Sequence, residues 1–302
     1  MDEEIKNIIQ HYTLNPIQIA LLSVVVSVIT FLITNYLKNI FENKLLQRKL
    51  EIEHKFDQQK KIKEVLAKNK VHLLTACEDL NHRMWNFANC YKEGWLNIKG
   101  DFANHHYYFH SFAYRFLAVY AWIKKTQKEM IFLDTTIATK NDMEFIKFLK
   151  VFPQIFCDLT FLEGKNADGN YADDHFFRNV FELLPDCIIL ENGIKSFSEY
   201  TDAVPNLQDC LKELYVALDG TSPDENRKRW DRLHLLNLTL IIFLNKYGYD
   251  FQRTDVKKME EAVTKPKVSS YLKNYFTLLK EYRLGDSAEV LKLEKIAKKY
   301  YL

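Results

Sequence analysis

Apolar and polar positions divide this chain into unlike stretches. From Pro16 to Leu37 no residue is charged, and as a helix these 22 residues extend about 33 Å, enough to cross a hydrocarbon core about 30 Å thick. The pattern predicts one transmembrane helix over 16–37, with Asn15 as its cap, Pro16 in its first turn, and Tyr12 and Tyr36 at the two interfaces. Within it Ala20, Ser23, Ser27, Thr30 and Thr34 recur at steps of three and four, which places them on one face while Leu, Val, Ile and Phe cover the rest. Small and hydroxylated residues permit close helix approach and interhelical hydrogen bonds, so the stripe predicts self-association with a second copy. Two other readings stay open: hydroxyls bonded back to their own helix, and a hydroxyl-lined pore built by several copies.

The same rhythm continues past the apolar run through Leu37, Phe41 and Leu45, meets a charge at Arg48, and resumes at Ile52. Residues 38–70 contain no Gly or Pro and carry ten Lys or Arg against five Asp or Glu, which predicts a continuous charged juxtamembrane helix. Arg48 and Lys55 interrupt a strict heptad, pointing to a loose bundle or to a helix docked on its own domain. Phe41, Leu45 and Ile52 therefore join the five stripe residues as the candidate assembly or pore-lining face.

Residues 71–302 show no sustained strand-like alternation, and the whole chain has only 8 Gly and 6 Pro. The expected fold class is all-α: a transmembrane helix, a long charged helix, then a multi-helix domain. Helices are expected near 62–95, 103–132, 141–162, 173–184, 187–201, 206–219, 224–247, 255–263, 268–283 and 287–301. Ser222 with Pro223 after it, and Asp286 after Gly285, read as helix starts. The polar stretch "EGKNADGNYADD" (163–174) is the clearest loop, and 163–172 is a candidate sub-boundary.

Charge sets the expected orientation. Lys6 is the only basic residue before the apolar run, whereas Lys38, Lys44, Arg48, Lys49 and Lys55 follow it, so residues 1–15 are expected outside and 71–302 in the cytoplasm beneath an inner membrane. The acidic start (Asp2, Glu3, Glu4) does not suit a cleaved signal peptide. Five scattered cysteines without a CxxC pair read as reduced thiols. A net charge of +2 gives no strong overall pull on nucleic acid. The chain has no phosphate loop, no GxGxxG, no GxSxG and no paired Cys ligands, and no cofactor is expected.

Two clusters could carry chemistry. In "DFANHHYYFHSFAYRF" (101–116) His106 and His110 are four apart and could share a metal with an acid such as Asp173 or Asp174, although the aromatic residues around them also read as a packing helix. In "RKRWDRLHLLN" (227–237) Arg227 and Arg229 precede His234; Trp230, Leu233 and Leu236 read as the buried side of an amphipathic helix. The Arg and His spacing resembles that of HEPN ribonucleases, which are all-helical, dimeric and metal-independent. The resemblance implies His234 as general acid or base on an RNA substrate and Arg227 or Arg229 as the group steadying the phosphate.

The layout as a whole resembles the single-pass membrane effectors of bacterial antiphage systems, including the accessory proteins of RNA-targeting CRISPR nucleases. It implies a homo-oligomer that perturbs the bilayer and could answer to a cytosolic defence partner; the alternatives are a membrane-tethered ribonuclease, under which alone RNA enters, and a membrane-localised scaffold or receptor for a cytosolic partner.

Overall fold

The computed structural model describes residues 15–170 and 174–301; Tyr12, Asp173 and the segment before Asn15 lie outside the described residues. By its internal contacts the chain falls into two units, Met1–Gln58 and Gln59–Leu302. One helix, α1 (Pro16–Cys90), runs through the first and into the second. No Gly or Pro occurs between residues 17 and 93, so nothing in the sequence interrupts it, and the elements expected at 16–37, 38–70 and 62–95 are one.

In the first unit every residue from 15 to 39 is exposed. Gln18 turns back to accept the Asn15 amide at 3.0 Å, closing the helix start. All four stripe hydroxyls donate to their own backbone: Ser23 to Ala20, Ser27 to Ser23, Thr30 to Val26 and Thr34 to Thr30, at 2.7–3.0 Å. Further along, Lys38 with Glu42 and Lys49 with Glu53 are exposed i, i+4 pairs, each worth a few tenths of a kcal/mol of helix at most.

In the second unit α1 becomes a core element. Ile62, Leu66, Leu73, Leu80, Met84 and Phe87 recur at three, four or seven and are buried. There follow α2 (Tyr107–Glu129), α3 (Lys140–Cys157), α4 (Leu159–Glu163), α5 (Arg178–Leu183), the two-residue strands β1 (Ile189–Leu190) and β2 (Gly193–Ile194), then α6 (Phe197–Leu218), α7 (Arg229–Tyr247), α8 (Val256–Val263), α9 (Ser270–Glu281) and α10 (Ala288–Tyr301). The all-α class holds; among the described residues the one antiparallel hairpin, Ile189 opposite Ile194, is its only sheet.

The centre is α7, which is not amphipathic: 18 of its 19 residues are buried, Lys246 being the exception. It packs against α3, α8, α9 and α10, with Phe243 within 5.2–5.9 Å of Phe145, Phe148 and Phe152. A helix surrounded on every side must bring partners for its polar groups. Asp231 accepts the amides of Lys267 and Val268 at 2.6 and 3.2 Å, Asn237 donates to Asn81 at 2.8 Å, and Thr239 meets the Tyr275 hydroxyl at 2.9 Å.

Three local expectations are corrected. The helix expected at 187–201 is a hairpin turning at Glu191 and Asn192, after which Ser196 and Glu199 form a capping box that starts α6. Ser222 caps a turn rather than a helix, and α7 begins seven residues later at Arg229. Cys187 and Cys210 are joined as a disulfide, so only Cys77, Cys90 and Cys157 are free.

Candidate functional site

The arginines expected to form a ribonuclease pair with His234 are each engaged with other groups. Arg227 lies before α7 and pairs with Asp174, whose other oxygen accepts the Lys228 amide at 2.7 Å. Arg229 grips Glu225 with two hydrogen bonds of 2.7 and 2.6 Å and donates to the Val216 and Ala217 carbonyls at 3.0 and 3.3 Å, satisfying the last turn of α6. His234 is 1 % exposed, 4.3 Å from the Trp230 ring and 6.3 Å from that of Phe87, and neither ring nitrogen has a partner among the described residues. Burial brings its pKa down to about 3, so the imidazole is neutral near pH 7. A general acid or base must come within hydrogen-bond reach of its substrate. In this structure His234 is enclosed by core side chains, and both arginines are engaged elsewhere.

His106 is the N-cap of α2, which starts at Tyr107, and its ring and that of His110 take different partners. His106 meets Asp101 at 2.9 Å, whereas the buried His110 donates its Nε2–H to the Asn104 carbonyl at 2.9 Å, which leaves Nδ1 of the neutral ring to accept from the Tyr215 hydroxyl at 3.3 Å. Among the described residues no three His, Cys, Asp or Glu side chains gather as a metal site would require.

Charged groups do converge elsewhere, between the end of α1 and the start of α2. Asp79, His82, Arg83 and Asn86 fall at i, i+3, i+4 and i+7 on α1, and Tyr108, Ser111 and Arg115 at i, i+3 and i+7 on α2. The two helices meet through Phe87 and Phe112, 5.6 Å apart, and through the stack of His72 on Trp122 at 4.5 Å. Arg83 lies over the Tyr108 ring at 4.4 Å and donates to Ser111 Oγ at 2.6 Å; Arg115 donates to the same hydroxyl and to the Ser111 carbonyl. The loop between the helices carries Trp95, 45 % exposed, with its ring 4.9 Å from Tyr108.

That loop is held from the far side. Asp219, at the end of α6, accepts the amides of Ile98, Lys99 and Gly100 at 2.8, 3.2 and 2.6 Å, and Gly220 donates to the Leu96 carbonyl at 2.9 Å. Gathering three successive amides on one carboxylate requires a sharp bend, taken by positive φ at Lys99 and Gly100. Sequence reading passed over this cleft because Arg83 and Arg115 are distant in the chain and match no spacing rule. The chain has no match among family models, curated proteins or solved structures.

Proposed function

We propose that this protein is a single-pass membrane protein whose first unit anchors it and brings copies together, and that it acts as an effector or interaction protein. The observation that carries the reading is exposure: an 18-residue window with mean hydropathy 2.5 has none of its surface buried. Apolar surface on that scale is unfavourable in water and suits lipid. The hydroxyls are bonded back to their own helix, as the second reading of the stripe has it, so the assembly role rests on the close helix approach that small residues allow and not on interhelical hydrogen bonds. The second unit is then cytoplasmic, as the lysine-rich flank directs. Assemblies that open on a signal from that unit would breach the bilayer, the behaviour of the antiphage effectors this layout resembles.

The disulfide makes the orientation testable. Cys210 is exposed and Cys187 buried, and although the structure joins them, a cytoplasmic second unit predicts that cellular reductants keep the pair as two thiols until it is oxidised. Cells quenched in acid, with membranes washed in alkaline carbonate and then alkylated under denaturing conditions without reductant, are expected to yield membrane-retained protein carrying five labels per chain. Three labels, one for each of Cys77, Cys90 and Cys157, would place the second unit on the oxidising side. Extraction by carbonate would remove the anchor.

A further inference from the structure

Two arginines meet in the cleft between α1 and α2, and what they point to goes beyond membrane assembly and does not depend on it. Arg83 and Arg115 are both half-buried and both donate to one oxygen, Ser111 Oγ. A hydroxyl can accept from both, yet it brings no charge to offset two guanidiniums held so close together. Among the described residues no carboxylate oxygen lies within 4 Å of either one, whereas the other buried arginines, Arg229 and Arg232, have Glu225 and Glu163. Neither guanidinium is therefore in direct contact with an anion, and the planar forks of two arginines match the several oxygens of a phosphate.

There is room for such a group and for more than a phosphate. A cavity of about 430 Å³ opens over Arg83 and Arg115 and is bounded by His82, Asn86, Tyr108 and Trp95. A second, of about 350 Å³, adjoins Trp95 and Tyr108 on the side of Asn97 and Gly220. Both fall in the size range of small-molecule sites. Trp95 offers an exposed ring on a loop that Asp219 and Gly220 fasten in place, which is what a stacking platform needs. Asp79, one turn before Arg83, is the first cavity's one carboxylate among the described residues, and its negative charge favours a ligand with one phosphate over one with three.

We propose that this cleft binds a mononucleotide, with the phosphate on Arg83 and Arg115 and the base stacked on Trp95. Asp219 is a positioning residue that holds the Trp95 loop.

The test is titration calorimetry of the full-length protein in detergent with AMP, GMP, CMP and UMP, and with adenosine and inorganic phosphate as partial ligands. At least one mononucleotide is expected to bind with a submillimolar Kd and more tightly than either partial ligand. Arg83→Gln and Arg115→Gln are each expected to weaken it by about tenfold or more, the scale of a lost charge-assisted hydrogen bond. Trp95→Ala, a change on an exposed loop that leaves the core intact, should weaken it about tenfold while Trp95→Phe keeps most of the affinity. Unfolding temperatures of the two arginine variants separate lost binding from lost folding, and the tryptophan pair gives an answer even if those variants fail to fold. Absence of binding by all four mononucleotides at millimolar concentration, affinity unchanged in both Arg115→Gln and Trp95→Ala, or inorganic phosphate binding as tightly as any nucleotide would overturn the proposal.

Discussion

Replacing Arg232 with methionine is expected to lower the unfolding free energy of the second unit by about 3–5 kcal/mol, the range for breaking one side of a buried ion pair. Arg232 is wholly enclosed, and it does two things at once. Its Nη2 meets both Glu163 oxygens at 3.2 and 3.0 Å, and its Nη1 donates to the Ile155 carbonyl at 2.7 Å in the last turn of α3. Methionine matches the stem but leaves that carbonyl without its donor and leaves Glu163, itself buried, with only Lys228 at 3.6 Å. Adding Glu163→Gln to the variant should recover part of the loss, because an amide costs less to bury than an unpaired carboxylate. The check is chemical denaturation of the detergent-solubilised chain; a loss under about 1 kcal/mol in the single variant would mean that Arg232 does not link α7 to the α3–α4 corner as described.

Acid should destabilise the protein through His234, and His234→Leu should remove much of that sensitivity. The sign follows from where the proton binds. In the unfolded chain an imidazole takes up a proton near pH 6.5, whereas burial keeps folded His234 neutral down to about 3. Between those values the unfolded state holds more protons, so stability falls as pH falls, by about 1.4 kcal/mol per unit well below pH 6.5 and about 2 kcal/mol between pH 7 and 5. His110, also shifted down chiefly by burial, adds an effect of the same sign, and Asp231, shifted up chiefly by burial, opposes it at lower pH. The difference between wild type and variant therefore isolates His234. At pH 7 the variant is expected to lie within about 1 kcal/mol of wild type, since losing two unpartnered nitrogens offsets losing ring contacts with Trp230 and Phe87. Parallel pH profiles for the two proteins would contradict the account.

The sequence carried some of this plainly. A run of residues from 17 to 93 without Gly or Pro contains no strong breaker, so one helix can pass through all of the elements expected there, and the structure has it from Pro16 to Cys90. Other boundaries depended on contacts that no local rule contains. Residues 222–228 look like a helix start, yet Asp174 holds Arg227 and the Lys228 amide while Glu225 turns to Arg229, and the segment stays in turns until that arginine. The apolar stretch before Glu191 resembles a helix; Asn192–Gly193 and the Ser196–Glu199 box were the legible signs of a hairpin and a fresh start. His234 drew attention by its spacing from Arg229, although Arg232, nearer in sequence and without a motif, is the arginine that the core closes around. The Arg83–Arg115 cleft was the least legible part, since only the packing of α1 on α2 brings those residues to one oxygen.

The central claim is that the first unit assembles copies of the chain through its small-residue face. Mass photometry of full-length protein in detergent, with and without Ser27→Leu and Thr30→Leu together, addresses it most directly. Both residues are exposed and bonded only to their own helix, so leucines there preserve helix and anchor while thickening the proposed contact face. The account predicts a discrete oligomer for wild type and a shift to monomer in the double variant. A wild-type monomer, or an oligomer of unchanged mass in the variant, would contradict it.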